Sequence, residues 1–127
     1  MTTGGYYRDV KPVLLELIDP TGSRVLDAGC GAGLNGELLK RAGAGEVWGI
    51  ELDAGAADEA RRRLDGVVTG DLAAADLGAL GGAPFDVILA IDVLEHLADT
   101  EAVLAKLVAM LHAGGTLVAC IPNVAHA

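Results

Sequence analysis

The stretch Arg24-Val-Leu-Asp-Ala-Gly-Cys-Gly-Ala-Gly-Leu-Asn-Gly36 constrains the fold of this chain more than any other. Val25 and Leu26 read as a short buried strand. Gly29, Gly31 and Gly33 follow at every second position, and a helical pattern opens at Leu34. Alternate glycines let the backbone turn sharply through positive φ and remove the Cβ atoms that would hold a ligand off. A helix opening straight after them offers unpaired N–H groups to whatever fills the gap. The combination predicts a small-molecule cradle at the carboxyl end of a strand, with a ligand-free strand-to-helix turn as the alternative.

The rest of the chain repeats a strand-then-helix rhythm. Asp9 to Ile18 reads as a helix with Asp9 as N-cap, and Pro20-Thr-Gly22 stops it. After the first strand, 24–28, a second helix runs from Leu34 to Ala42 with Leu34, Leu38 and Leu39 inward and Gly43 ending it. Strands follow at Glu46–Ile50 and Gly66–Thr69, flanking a helix from Gly55 to Leu64. That helix ends in Arg61, Arg62 and Arg63, read as cations complementing the helix dipole rather than as a basic patch. Residues 73–83 give few periodic cues beyond a possible helical turn. Val87–Ile91 is an apolar run of the kind expected in a strand buried on both faces. Asp99 and Thr100 cap a long helix that Gly114-Gly115 should end, and Thr116–Ile121 is the fifth strand. Such alternation predicts an α/β fold: right-handed βαβ units building a doubly wound parallel sheet in the order 3-2-1-4-5.

Bulk properties narrow the function classes. The 127 residues suit one domain, 1–127, with residues 1–8 as a flexible arm. A formal net charge of −9 argues against a nucleic-acid partner, because nothing offsets phosphate repulsion. No apolar run is long enough to span a membrane, and the first residues lack the basic and apolar regions of a signal peptide. Cys30 and Cys120 fall on separate elements and make no disulfide framework, which fits a cytoplasmic chain. Neither the cysteines nor His96, His112 and His126 share a metal-ligand spacing, so no metal site is expected.

Acidic residues then fall where a doubly wound sheet binds ligands, at or just past the strands' carboxyl ends: Asp27, Glu51, Asp71 and Asp92. Glu51 can accept both hydroxyls of a ribose. Asp71 can accept from an adenine amine while the Leu72 backbone N–H donates to the neighbouring ring nitrogen. Gly31-Ala-Gly-Leu-Asn-Gly36 also matches the dinucleotide pattern G-x-G-x-x-G. Register opposes that reading: a first glycine directly after the strand is Gly29, and the third then falls on Leu34. Charge opposes it too, since Asp27 would repel a pyrophosphate yet could hold an ammonium. S-adenosylmethionine has an ammonium, a sulfonium, a ribose and an adenine, and no phosphate.

With these residues in place, Val-Leu-Asp-x-Gly-x-Gly-x-Gly resembles the first motif of class I S-adenosylmethionine-dependent methyltransferases. Phe85-Asp-Val-Ile88 to His96 resembles that family's fourth-strand segment, and Gly114-Gly-Thr-Leu117 its lead into strand five. The run Asp92-Val-Leu-Glu-His96 looks most like methyltransferases acting on small molecules. The resemblance implies a cofactor site of Asp27, Gly29, Cys30, Gly31, Gly33, Glu51, Leu52, Asp71, Leu72, Ala90 and Asp92, with Tyr7 of the Tyr6-Tyr7-Arg8 cluster covering it. His96 is the candidate general base, against a bland role capping its loop. Ala90-Ile-Asp-Val departs from the Asp/Asn-Pro-Pro-Tyr/Phe of many amino-group methyltransferases.

The family also implies two further strands in an antiparallel hairpin, for which this sequence has no residues left. The expectation is a truncated cofactor-binding core, with the apolar strand 116–121 as an edge open to self-association. A dinucleotide-dependent oxidoreductase module and a non-catalytic binding or assembly fragment are the rival readings.

Overall fold

A computed structural model of the protein describes residues 11–74, 77–91 and 98–120. Five strands, β1 (Arg24–Ala28), β2 (Glu46–Glu51), β3 (Gly66–Thr69), β4 (Phe85–Ile91) and β5 (Leu111–Cys120), form one parallel sheet in the order β3-β2-β1-β4-β5. The expected α/β doubly wound arrangement and its strand order are borne out. Helices α1 (Leu14–Leu17), α2 (Leu34–Arg41), α3 (Ala54–Arg61) and α4 (Thr100–Val108) join them, with a 3-10 turn at Leu77–Leu80.

Alternation along each strand builds two cores, one on each face. Leu26, Ala28, Ile50, Ile88 and Ala90 point one way and pack with Leu80, Val103 and Leu107. Val25, Val47, Val87, Leu89 and Ile91 point the other way and pack with Leu14, Leu39, Ala60 and Leu64. Asp27 shares the second face with Val25 by its period of two, between Gly49 of β2 and Leu89 of β4. With so few aromatic residues, close approach replaces bulk. A Cβ on Gly36 would lie 2.5 Å from Leu64 Cδ2, and one on Gly49 would lie 2.6 Å from Cys30 Sγ.

At the amino ends of the strands, Arg24 closes the sheet. Its guanidinium stands 4.1 Å from the Phe85 ring centre and 5.8 Å from that of Trp48, and it donates to the Leu80 and Ala83 carbonyls. The planar fork serves rings and carbonyls together, which an ammonium could not do.

Element boundaries depart from expectation at several ends, and three of these departures matter to the fold. Among the described residues the first helix is the single turn Leu14–Leu17, with Ile18 already extended. Glu51 belongs to β2 rather than following it. The third departure is larger. The last helix stops at Val108 instead of Gly114, because Met110 accepts from the Phe85 N–H at 2.8 Å and Leu111 already pairs with Phe85. Residues 112–115 then bulge out before Thr116 resumes the ladder opposite Val87. Gly114 takes φ +84°, and a Cβ on Gly115 would press on the His112 and Asp86 carbonyls at 2.9 and 3.0 Å. The glycine pair makes a bulge and not a helix cap.

Candidate cofactor site

The glycine loop leaves β1 through three left-handed residues, Gly29 at φ +83°, Gly31 at +57° and Gly33 at +90°, a path that side chains would strain. Its backbone is held on several sides. The N–H groups of Gly29 and Cys30 both donate to the Ile50 carbonyl, at 2.8 and 2.9 Å, and Gly33 N–H donates to the Cys30 carbonyl at 3.0 Å. Gly31 N–H donates to Glu51 Oε1 at 2.8 Å. The loop's own donors at Gly29, Cys30, Gly31 and Gly33 are thus engaged within the loop and β2.

Glu51 ties two loops together. Its second oxygen accepts from Asp53 N–H at 3.0 Å, while its backbone carbonyl accepts from Gly70 N–H at 2.9 Å. Asp53 in turn caps α3 by accepting from Ala56 N–H at 2.8 Å. The glycine loop and the β2–α3 loop therefore meet at the Glu51 carboxylate, and the turn after β3 at its backbone carbonyl.

Asp27 is the outlier. It is 1% exposed, and among the described residues neither carboxylate oxygen has a hydrogen-bond partner. Burial, reinforced by the Glu51 carboxylate, pushes it up to about 7. An orphaned buried acid beside a paired one is a site built for a cation or a proton. Cys30 lies at its edge, buried, and burial with the Asp27 and Glu51 charges pushes its thiol up, so it packs rather than reacts.

The remaining expected residues are placed unevenly. Leu52 is 71% exposed beside Glu51, an apolar face open at the sheet's carboxyl edge. Asp71 is exposed, and its side chain accepts from Ala73 N–H at 3.0 Å in its own turn. The Leu72 side chain is buried in the first core, and Ala90 is fully buried near the end of β4. Tyr7, Asp92 and His96 lie outside the described residues. His112, 16 positions beyond His96 in the chain, sits in the β5 bulge and not at this site.

One supporting residue was not legible as such. Arg63, expected to serve only the dipole of α3, sends Nη1 to the Ala32 carbonyl in the glycine loop at 3.0 Å. Glu37 and Glu59 flank it at 3.8 and 3.7 Å. Arginines at a helix end give no sign in sequence of which loop they reach.

The methyltransferase-domain model matches residues 26–117, from the glycine loop's strand into β5. The chain belongs to that family. The expected resemblance to class I S-adenosylmethionine-dependent methyltransferases is thereby borne out. A ubiquinone biosynthesis O-methyltransferase of Xanthomonas axonopodis pv. citri is 35% identical over 116 residues, covering 85% of this chain and 48% of the relative. One from Chelativorans sp. is 39% identical over 99 residues, covering 76% and 39%. A TehB-like SAM-dependent methyltransferase of Corynebacterium glutamicum is 33% identical with a TM-score of 0.69, covering 84% of this chain and 58% of its own. SAM-bound CalS10, an amino pentose methyltransferase of Micromonospora echinaspora, is 33% identical with a TM-score of 0.63, covering 79% and 43%. This methyltransferase domain spans about half the length of the curated relatives it matches. Among its described residues no helix is long and apolar enough to cross a membrane.

Proposed function

We propose that this chain is the cofactor-binding core of an enzyme that transfers the methyl group of S-adenosylmethionine to a small-molecule acceptor. One arrangement carries the reading: two buried carboxylates, Asp27 and Glu51, face a glycine loop whose N–H groups are engaged by Ile50, Glu51 and Cys30. A pyrophosphate would be opposed here: the Glu51 carboxylate repels it, and Asp27 offers it no counter-charge. A cationic, phosphate-free adenosine ligand suits them. The oxidoreductase reading loses its support on the same ground.

In this reading Asp27 takes the ammonium, and Glu51 takes the ribose hydroxyls on the lone pairs that its backbone contacts leave over. Leu52 covers the adenine, with Asp71 and the Leu72 backbone at its edge, and Gly29 to Gly33 and Ala90 to Asp92 line the rest. When bound, the cofactor supplies an electrophilic methyl on its sulfonium. The chain's own contribution is in-line positioning. An oxygen acceptor is favoured by the O-methyltransferase relatives, with His96 taking its proton. Calorimetry tests the core of this: S-adenosylhomocysteine should bind and NAD should not. Measurable NAD affinity with none for S-adenosylhomocysteine would overturn the assignment.

Lys11 N–H donates to Asn35 Oδ1 at 2.7 Å, which anchors the chain just after Tyr6-Tyr7-Arg8 in the first turn of α2. We infer that this arm closes over the cofactor, so deleting residues 1–8 should weaken binding and spare the thermal midpoint of the free protein. Among the described residues β5 is the sheet's edge, with Leu117 and Val118 half-buried, and self-association through 116–121 is proposed there. A monomer by light scattering at high concentration, unchanged by Val118→Lys, would sink it. The chain is read as one domain, 1–127, in the cytoplasm, and without a nucleic-acid partner on account of its acidity.

A further inference from the structure

The unpartnered Asp27 carboxyl has a consequence for how the site fills. It sits on the α1–α2–α3 face of the sheet, between Gly49 and Leu89 in the neighbouring strands, and its two oxygens meet no donor among the described residues. Glu51 differs at every point. It receives Gly31 N–H and Asp53 N–H, one on each oxygen, so its lone pairs are met where those of Asp27 are not. A dry setting disfavours the charge on an acid that no donor meets, and the Glu51 carboxylate adds to that cost at Asp27. The missing donors single out Asp27.

The other groups around Asp27 cannot offset it. Leu14, Val25, Leu39, Val47, Leu64 and Leu89 make that face apolar. The Cys30 thiol is held neutral, and Arg61 acts on that thiol but is turned to Asp58 and Thr69. Arg63 is turned to the Ala32 carbonyl and its flanking glutamates.

We propose that Asp27 holds a proton in the free protein and surrenders it to bulk water when the cofactor's ammonium enters, so that cofactor capture releases about one proton. The Asp27 O–H bond breaks, its electron pair stays on the carboxylate, and the ammonium replaces the proton as counter-charge. The raised titration of Asp27, to about 7, agrees with this geometry. The inference rests on the cofactor reading above and adds its regulation: the site fills more readily as pH rises through neutrality.

The test is calorimetric titration of S-adenosylhomocysteine into the full chain at pH 6, where the ligand amine is protonated, in two buffers of different ionisation enthalpy. The observed enthalpy should shift with buffer by an amount equal to release of nearly one proton. Affinity should be about fivefold tighter at pH 7 than at pH 6. Asp27→Asn, a neutral isostere, should abolish both the buffer dependence and this pH dependence. Binding with a buffer-independent enthalpy overturns the inference and leaves the cofactor reading intact; no binding at all overturns both. Should the variant fail to fold, the carbon-13 resonance of the Asp27 carboxyl in the unmutated protein decides. A midpoint near neutrality that falls on adding S-adenosylhomocysteine supports the exchange, and a carboxyl already ionised at pH 6 in the free protein refutes it.

Discussion

Arg63 Nη1 donates to the Ala32 carbonyl at 3.0 Å, fastening the turn that ends α3 to the middle of the glycine loop. The guanidinium is half-buried and pulled on both sides by Glu37 and Glu59, so its position is set before any ligand arrives. Removing it leaves the buried Ala32 peptide without that charged donor. Arg63→Ala should therefore cost about 1 kcal/mol in urea unfolding, the lower part of the range for a charged donor because the site is partly screened. It should also weaken S-adenosylhomocysteine binding several-fold. Arg63→Lys, which keeps the charge without the planar fork, should recover only part of that affinity. Stability lost with affinity unchanged would confine Arg63 to the fold.

Gly36 sets helix propensity against packing. Alanine at this third position of α2 should gain up to about 1 kcal/mol from propensity alone. The added Cβ would lie 2.5 Å from Leu64 Cδ2 and 2.9 Å from Val47 Cγ1, and overpacking of that kind costs about 1–3 kcal/mol. Gly36→Ala should thus destabilise despite the better helix former. Combined with Leu64→Ala, it should cost less than the two single changes added together, because the Cβ fills space that Leu64 vacates. Strict additivity in a double-mutant cycle would show that the two groups do not meet.

What was legible in the sequence follows from what is local. The strand β1, its glycine turn and the apolar run of β4 announce themselves because each is contiguous, and parallel order follows from short alternation. The acids Asp27 and Glu51 were legible as candidate site residues because strand ends fix their place. What they touch was not. That Glu51 receives Gly31 and Asp53 N–H groups depends on how β2 meets the loop after β1 in space, and no spacing encodes it. Gly114-Gly115 misled for a related reason: a glycine pair after an apolar helix fits a cap and a bulge equally. The Phe85–Met110 bond that decides between them spans 25 positions. Arg63 was read from its helix alone, whereas its partner lies on another βα unit.

A proton on Asp27 makes the free protein's stability depend on pH in a definite direction. Its folded pKa, about 7, lies above the ordinary carboxylate value. Between pH 4 and 7 the folded state therefore binds more protons at this group than the unfolded chain, and stability falls as pH rises. Above 7 both states are ionised and the full cost is present. Asp27→Asn removes the group, so the difference between variant and unmutated protein isolates its contribution. That difference should grow in favour of the variant from pH 4.5 to pH 7.5, by up to a few kcal/mol. A constant difference in urea-unfolding free energy across that range would mean that Asp27 is ionised in the folded protein throughout.

Glu51→Gln separates the two causes of that raised titration. An amide of nearly the same shape can accept with its oxygen from Gly31 N–H or from Asp53 N–H but not from both, and its NH2 faces the donor left over. The substitution should cost about 1–3 kcal/mol of stability, the scale for an unsatisfied buried polar group. It also removes the charge that, second to burial, raises Asp27. Followed by carbon-13 resonance, Asp27 should therefore titrate lower in Glu51→Gln than in the unmutated protein, while staying above the ordinary carboxylate range because it is still buried. Proton release on binding S-adenosylhomocysteine at pH 6 should shrink in step. An Asp27 midpoint unmoved by the substitution would show that burial alone raises it, and that the two acids do not sense each other across the glycine loop.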